Sequence, residues 1–352
     1  MAITLKRGFI YFLGEKDALT GETTEYVKIG KTDFDRPVSA RIDEHQTGNP
    51  RVVFDRGSFQ VVSVDTVETH LHHAFAEYRV LGEWFCLGAS TLKAAVEEGN
   101  RLDALLGETR EALNTAAEAY YLESSEPERP ASEEERDFLQ NAIQVGEELN
   151  RLTAQRSCLE WALRAGMGSA SGIDSILTVT RVTHQPGLNE QGLKSQAPEV
   201  YGKFLVEKDR LARSFALATK TRSSATLEPA LAAKQAAYEE QVGKAMTAGN
   251  NLMAERTEHL VSFHEQYLKV LGEISRASIE RDLLEAQIKA ACGPAKGIEG
   301  VCKWSRTLQA KVYFDRKEFK KVHPELFEHY LLPAGPPGFR WSVQPMRSYR
   351  FS

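Results

Sequence analysis

The sequence predicts an α+β fold in which a small mixed domain precedes a long region that is mostly helical. Over residues 1–95, short runs of aromatic and β-branched residues alternate with two amphipathic segments. That order predicts a three-stranded antiparallel sheet flanked by helices. Long polar and alanine-rich stretches follow and favour helix. A pattern that occurs twice in the second half predicts two repeated helix–β-hairpin units.

Length and composition are those of a globular protein. The 352 residues are 42% hydrophobic and 26% charged, which predicts two or three domains with ample cores. The four cysteines form no CxxC pair, which argues against a zinc knuckle or a disulfide framework and favours a reducing compartment. No apolar run approaches the roughly 20 residues of a membrane helix. We therefore expect a cytoplasmic protein with no membrane partner.

The charge is unevenly distributed along the chain. The formal net charge is −5, yet residues 293–352 contain 11 basic and 5 acidic residues. A basic end of this kind is compatible with contacts to phosphate groups, and equally with a solvated basic surface.

The first two strands are predicted at Arg7–Leu13 and Tyr26–Gly30, joined by a polar hairpin loop. Side chains alternate between the two faces of a strand. Tyr11 of the first strand should therefore share a face with Lys28 and Gly30 of the second.

A first helix is predicted to start near Pro37 and to run to about Gln46, where the sequence TGNP ends it. A third strand is predicted at 51–62 and a second helix at 66–78. These predictions complete the sheet and its flanking helices.

Polar residues recur at helical spacing on both helices. Arg41 and His45 are four residues apart on the first helix, and Glu68 and His72 are four apart on the second. Each pair should therefore lie on one face of its helix. His70 is predicted to point away from the face that carries Glu68.

The remaining chain is predicted to be largely helical. A helical tract over 89–122 is expected to break at Gly99 and Gly107, and Ser124–Ser132 has the composition of a linker. Long helices are predicted over 133–165 and 229–292 and a further one over 199–220, and they leave open a homo-oligomer. We divide the chain into a first domain (1–95), a helical extension and linker (96–132), a helix with the first hairpin repeat (133–205), a long helical arm (206–292), and a second hairpin repeat with a basic tail (293–352).

The repeat is seen by aligning GIDSILTVTR (172–181) with GIEGVCKWSR (297–306). An arginine stands nine residues after the glycine in both copies, and a lysine and a proline follow once one insertion is allowed. Each unit is predicted as a helix, a β-hairpin and a short helix, and the two units would form a pseudo-symmetric pair. The matched basic residues are candidates for contact with DNA, with solvated surface charge as the alternative: Arg181, Lys194, Arg306 and Lys320.

The N-terminal motifs resemble the GIY-YIG endonuclease superfamily. The residues that carry the resemblance are Gly8–Tyr11, Lys28–Gly30, Arg41 and Glu68. The likeness is closer to a phage-type branch with KIG in place of YIG, in which TGNP ends the first helix and GEWF closes the domain. Four linked motifs in order, over residues 7–95, are more specific than a single glycine motif.

The resemblance implies metal-dependent hydrolysis of DNA. Tyr11 would orient the attacking water or, as a phenolate, deprotonate it. Lys28 stands where the second tyrosine normally lies, and its ammonium would lower the pKa of the phenol or neutralise charge in the transition state. Arg41 would hold the scissile phosphate. Glu68 would supply the carboxylate for Mg²⁺ or Mn²⁺.

Two histidines rank second as candidates. His45 follows Arg41 by one turn and would assist it, and His72 would either support Glu68 or the fold or contact the substrate. The C-terminal string FDRKEFKKVHPELFEHYL, followed by GFRWSV, is similar to an accessory segment of phage recombinase-type exonucleases. That similarity implies a DNA-associated context and no catalytic role.

We therefore expect a Mg²⁺-dependent endodeoxyribonuclease whose C-terminal region recognises DNA or a partner. Two alternatives stay open: a non-catalytic nucleic-acid-binding module, and a helical assembly or regulatory protein. The biological setting is equally open among a phage gene, a mobile element, antiviral defence and repair.

Overall fold

A computed structural model of the chain describes residues 3–218, 229–245, 252–335 and 338–351. Within these residues, five strands near the N-terminus form one antiparallel sheet in the order β3-β1-β2-β5-β4. The predicted α+β fold is confirmed, since the three predicted strands form the body of the sheet and two short strands extend it. The strands are β1 (Gly8–Lys16), β2 (Thr23–Asp33), β3 (Val52–Val61), β4 (Arg79–Leu81) and β5 (Trp84–Cys86).

Helix α1 (Val38–Gln46) covers one face of this sheet. It begins directly after Pro37, whose fixed φ suits the start of a helix, and it ends where the sequence predicts. Val38 and Ile42 pack on a small buried cluster that includes Tyr11. The helix therefore brings its polar residues over the sheet face that carries Tyr11.

The opposite face of the sheet is covered by α2 (Val64–Ala74) and α3 (Ala89–Glu108). Helix α2 ends four residues earlier than predicted, and a 3₁₀ turn at Ala76–Tyr78 leads into β4. Each fully buried Leu, Ile or Phe contributes about 1.5–3 kcal/mol to stability, so this is the main core of the domain. Its largest members are Ile10, Phe12, Ile29, Leu71, Phe85 and Leu102.

The predicted breaks at Gly99 and Gly107 are wrong. Helix α3 runs through both glycines, and the chain turns only at Thr109 before α4 (Arg110–Ala119). A Cβ atom at position 99 would lie 2.6 Å from the ring of Phe59. Gly99 is therefore explained by the close approach of the helix to the sheet, which outweighs its low helix propensity.

Two helices of 35 residues each form the centre of the second half. Helices α5 (Glu133–Met167) and α9 (Glu258–Cys292) pack against each other, with α8 (Pro229–Ala245) beside α5. A capping box between Ser132 and Glu135 starts α5. The long helix predicted over 133–165 is confirmed. The single helix predicted over 229–292 is wrong at residues 252–257, which are not helical because Ala254 bridges to Ile173 there. Residues 246–251 lie outside the described residues. Within the described residues, no helix is long and apolar enough to cross a membrane.

The helix predicted over 199–220 is wrong beyond its first turns. Helix α7 (Pro198–Lys203) ends at Phe204, and the following residues form strand β8 (Leu205–Leu217). This strand pairs along its whole length with β10 (Cys302–Phe314). A partner almost 100 residues away thus overrides a local pattern that suits a helix.

Both repeats contain the predicted helix, hairpin and short helices. The first consists of α5, β6 (Gly172–Ile173), β7 (Leu177–Val182), α6 (Glu190–Gln196), α7 and β8. The second consists of α9, β9 (Gly297–Ile298), β10, α10 (Arg316–Val322), α11 (Pro324–His329) and β11 (Gly338–Val343).

The two repeats exchange strands. In the described residues, β8 of the first repeat joins β10 and β9 of the second, and β11 of the second joins β7 and β6 of the first. The segments before the two long helices also pair with the opposite repeat. Arg129, before α5, bridges to Ile298, and Ala254, before α9, bridges to Ile173. These reciprocal contacts form a pseudo-symmetric pair within one chain, in which neither sheet is complete without the other repeat.

The segment Ser124–Ser132 is bound to the second repeat. The Ser124 N–H donates to the carbonyl of Arg306 at 2.8 Å, and Glu126 bridges to Ala295. Linker composition is therefore compatible with an ordered segment here, because the β9–β10 hairpin supplies hydrogen-bond partners for its backbone.

The N-terminal domain docks on α9 through α2. A Cβ atom at position 272 would lie 2.9 Å from Cα of Ala74, so the glycine permits close helix contact. His70 points into this junction, where Nε2 lies 2.8 Å from Glu98 and Nδ1 lies 3.1 Å from Ser275. The domain that carries the candidate site is therefore fixed to the paired repeats.

Candidate active site

Tyr11 lies at the centre of the candidate site, and its ring covers Gly30. The two residues face each other across β1 and β2, and a Cβ atom at position 30 would lie 2.5 Å from the Tyr11 hydroxyl. Tyr11 is 1% exposed. Arg41 donates to the hydroxyl from Nε and from Nη2, both at 3.3 Å, and Nε2 of His45 lies 3.4 Å away. The structure thus brings together the tyrosine, arginine and histidine that the sequence singles out.

The environment keeps the Tyr11 phenol protonated at neutral pH. Burial raises the pKa of Tyr11, and the hydrogen bond and charge of Arg41 lower that pKa without overcoming the burial. Burial also lowers the pKa of His45, and the positive charges of Lys28 and Arg41 lower that pKa further. A neutral imidazole therefore lies beside a neutral phenol.

The guanidinium of Arg41 is also held by Glu44, one turn further along the same helix. Its Nη1 forms an ion pair with Glu44, which also pairs with Arg36. The side chain of Arg41 is about a quarter exposed, so the guanidinium is oriented within the protein and still reaches solvent. Such a fixed guanidinium suits a phosphate ligand.

Lys28 shares the face of Tyr11, as predicted, and the structure pairs it with Glu83. The ammonium of the nearly buried Lys28 forms an ion pair with this carboxylate, which lies between β4 and β5. Burial would raise the pKa of Glu83, and the hydrogen bond and charge of Lys28 outweigh it, so the pKa lies below the ordinary value. Glu83 is the glutamate of the GEWF string. The sequence identifies that string as the end of the domain and gives no sign that its glutamate pairs with Lys28.

Glu68 projects from α2 into a second ion pair. Lys31 of β2 lies 2.7 Å from the Glu68 carboxylate and 2.7 Å from Asp65. Burial raises the pKa of Glu68, and the hydrogen bond and charge of Lys31 oppose that rise only in part. Sequence reasoning missed Lys31, although it directly follows the KIG motif.

His72 is one turn after Glu68 and supports the same edge of β2. Its Nε2–H donates to the carbonyl of Ile29 at 3.0 Å, and its ring packs on Phe85. Burial lowers the pKa of His72, so the ring is neutral at pH 7. His72 therefore positions the strand that carries Lys28 and Gly30.

A magnesium ion at this site would have Glu68 as its one protein carboxylate. Among the described residues, no three His, Cys, Asp or Glu side chains form a metal-binding group. Mg²⁺ commonly uses one or two carboxylates and completes its shell with water and phosphate oxygens. The Lys31 ammonium already places a positive charge against Glu68, and its side chain is 37% exposed, which leaves it a path to solvent.

The four basic residues matched between the repeats have different environments. Arg306 is 1% exposed, lies 3.9 Å from the ring of Trp304 and donates to the carbonyl of Gly293 at 2.6 Å. This burial contradicts its predicted contact with DNA, because the guanidinium satisfies backbone carbonyls inside the second repeat. Lys194 and Lys320 are exposed, so their contact with DNA stays a prediction. The side chain of Arg181 lies outside the described residues.

Tyr11 and Arg41 thus lie in contact on one face of this sheet, and Glu68 projects from α2, which covers the other face. Residues 8–99 match the T5orf172 domain, which is associated with GIY-YIG-like and phage nuclease-type proteins. The match covers about a quarter of the chain and supports a role related to nucleic acids. Neither a curated protein nor a solved structure matches the chain.

Proposed function

We propose that the N-terminal domain is a Mg²⁺-dependent endodeoxyribonuclease of the GIY-YIG type. The observation that carries the proposal is the Tyr11 hydroxyl, which is held between Arg41 and His45 by a ring that packs directly on Gly30. The match to a nuclease-associated domain supports the same conclusion.

The two neutral rings provide a path for the proton of the attacking water. As the water oxygen forms its bond to phosphorus, Tyr11 takes one proton from the water and passes its own proton to Nε2 of His45. The bond from phosphorus to the leaving oxygen breaks, and that oxygen takes a proton from solvent. His45 later returns its proton to solvent, so one water is consumed for each phosphodiester cleaved. A neutral base near pH 7 is effective in this role.

Positive groups stabilise the phosphate during this reaction. Arg41, already aimed at the Tyr11 hydroxyl, contacts the scissile phosphate with its exposed edge. Lys28 adds positive charge on the same face, and Glu83 holds it there. Glu68 would hold Mg²⁺, or Mn²⁺ by the same chemistry, in place of the Lys31 ammonium. When bound, the ion supplies electrostatic stabilisation of the phosphate charge.

Substitution of the tyrosine tests this assignment. Tyr11→Phe removes the hydroxyl and keeps the buried ring, and we expect cleavage of plasmid DNA to slow by roughly 100- to 10,000-fold. Tyr26→Phe is the matched control, because Tyr26 lies on the same face of β2 as Lys28 and Gly30 and is a second phenol that could replace Tyr11 in this role. We expect Tyr26→Phe to cleave like wild type. Equal activity of Tyr11→Phe and wild type, with Tyr26→Phe impaired, would reverse the assignment.

A non-catalytic DNA-binding module is the second candidate. The ion pair between Lys31 and Glu68 favours it, since the carboxylate is already neutralised. This candidate predicts DNA binding without metal-dependent cleavage of plasmid, branched or modified DNA. The cytoplasmic location, the homo-oligomer and the assembly role stay predictions.

A further inference from the structure

The ribbon formed by β8 and β10 has two chemically different faces. Its register is continuous from Cys302 opposite Leu217 to Phe314 opposite Leu205, so directly opposed residues share a face. One face packs on the buried cluster of the second repeat through Trp304 and Phe215. We call the opposite one the polar ribbon face. It consists of residues 206, 208, 210, 212, 214 and 216 of β8 and residues 303, 305, 307, 309, 311 and 313 of β10.

The acidic residues of the ribbon are confined to one of these faces, although Arg213 and Arg306 lie on that face as well. The polar ribbon face carries Lys208, Arg210, Lys303 and Lys311, all exposed, and among its described residues there is no Asp or Glu. The acids of β8, at 207 and 209, lie on the other face. This separation occurs in a chain of net charge −5, where mixed signs would be the ordinary arrangement of a solvated surface.

Two of these lysines oppose each other directly. Lys208 and Lys311 are cross-strand partners, an arrangement that destabilises a ribbon unless an anion lies between the charges. Lys311 also lies over the ring of Tyr313. The nearby acids lie at the margin: Glu128 is 3.8 Å from Lys303, and Glu123 accepts a hydrogen bond from the backbone of Leu308. The opposed lysines at the far end of the ribbon therefore mark a site for negative charge.

The residues between the lysines are small and polar. Ser214, Ser305, Thr307 and Gln309 are exposed between Lys303 at one end and the opposed lysine pair at the other. These side chains donate and accept hydrogen bonds, and Gln and Arg pair well with the edges of adenine and guanine. The face thus places base-reading chemistry in its centre and phosphate-binding chemistry at its ends.

The dimensions of the ribbon suit the major groove of duplex DNA. Lys311 lies eight residue steps after Lys303, which corresponds to about 27 Å at the rise of an antiparallel strand. One turn of B-DNA measures about 34 Å, and its major groove, about 12 Å wide, admits a two-stranded ribbon. Strand β9 pairs with β10 only at Cys302 and Lys303, and Ser124 and Glu123 bond the β10 backbone at Arg306 and Leu308. Beyond Leu308 the described residues form a two-stranded ribbon.

The first repeat presents a shorter version of this face. On the ribbon of β7 and β11 the equivalent exposed residues are Thr178, Thr180, Arg340 and Ser342. Polar residues and a cation thus recur, while Val179, Trp341 and Val343 of that ribbon pack inward. The polar chemistry of the face is therefore common to both repeats, and its basic ends belong to the second.

We propose that the polar ribbon face of β8 and β10 binds duplex DNA in the major groove, with Lys208, Lys303 and Lys311 on phosphates and Arg210 and Gln309 at base edges. This proposal deepens the proposed function and rests on DNA as its substrate, because it names the surface that brings the target to the N-terminal site. It assigns DNA recognition to β8, which sequence patterns mistook for a helix.

Binding without cleavage tests the proposal. Fluorescence anisotropy of a short labelled duplex would be measured in EDTA with the full chain and with Lys208→Ala/Arg210→Ala/Lys311→Ala. We expect affinity to fall about tenfold or more, and the slope of log K against log salt to become smaller by about two, close to one for each lysine removed from a phosphate. The control Lys93→Ala/Lys234→Ala/Lys269→Ala removes the same charge from exposed helical sites and should bind like wild type.

Three results would overturn the proposal. The first is a control variant that weakens binding as much as the ribbon variant does, because binding would then depend on total charge alone. The second is a ribbon variant that binds the duplex like wild type. The third is a ribbon variant that loses affinity for single-stranded and duplex DNA equally. Failure of the proposed nuclease is separable, because a chain that never cleaves DNA can still lose duplex binding when the ribbon lysines are removed.

Discussion

Gly30→Ala tests how tightly the Tyr11 ring packs on Gly30 in the candidate site. The added Cβ would lie 2.5 Å from the Tyr11 hydroxyl and 2.6 Å from Cε2 and Cζ of the same ring. Leu13, Val53 and Ile42 pack in the same cluster as the ring, so the ring can shift only if they shift as well. Overpacking of this kind typically costs about 1–3 kcal/mol.

The displaced hydroxyl would also lose its alignment with Arg41 and His45. A shift of about 1 Å in a catalytic group costs on the order of 100-fold in rate. Urea unfolding followed by tryptophan fluorescence gives the change in stability, and cleavage of supercoiled plasmid with Mg²⁺ gives the change in activity. We expect both to fall in Gly30→Ala.

Gly107→Ala supplies the matched control. Gly107 lies within α3, and no atom would lie within 4 Å of its added Cβ. Alanine should stabilise the helix there by up to about 1 kcal/mol, with activity unchanged. A Gly30→Ala protein as stable and as active as Gly107→Ala would refute the packing of Tyr11 on Gly30.

Three further substitutions test the surrounding structure. Gly272→Ala should weaken the docking of the N-terminal domain on α9, because the added Cβ would meet the backbone of Ala74. We expect the free energy of unfolding in urea to fall by roughly 1–3 kcal/mol. Unchanged stability would contradict that contact. The hydrogen bond from Arg101 is the main reason that the pKa of Glu98 lies well below its usual 4.5. The ionised Glu98 therefore stabilises the fold fully above pH 4.5, and this stabilisation is lost as the pH falls through the lowered pKa. Glu98→Gln should therefore flatten the acid side of a plot of unfolding free energy against pH, and a plot parallel to wild type would argue against this role. Arg306→Ala should destabilise the second repeat by roughly 3 kcal/mol in thermal or urea unfolding, since it leaves backbone carbonyls buried without their donor, whereas a mere surface arginine would cost almost nothing.

The N-terminal domain was predictable because its signals are local. Alternation along β1 and β2 is enough to place Tyr11, Lys28 and Gly30 on one face, and a spacing of four is enough to pair Arg41 with His45. What alternation cannot show is which charges meet between elements. The pairing of Lys28 with Glu83 depends on the position of the β4–β5 turn, which no periodicity specifies.

The second half was less predictable because its strands depend on distant partners. The sequence of β8 is polar and contains leucine and alanine, and it becomes a strand because β10 lies beside it. The match between Arg181 and Arg306 gave no information on burial, and the exchange of strands places Arg306 inside the second repeat. Repetition in the sequence thus predicted the architecture correctly and assigned that one residue to the wrong environment.

The central claim is that Glu68 holds the metal ion that DNA cleavage requires. The most direct measurement is the single-turnover rate of plasmid cleavage against Mg²⁺ concentration for wild type, Glu68→Ala and Asp65→Ala. Asp65 shares Lys31 with Glu68 and so controls for the loss of one carboxylate from the same ion-pair cluster. We predict cleavage by wild type that EDTA abolishes, near-complete loss in Glu68→Ala at every Mg²⁺ concentration, and a rate close to wild type in Asp65→Ala. Cleavage by Glu68→Ala at the wild-type rate would contradict the claim.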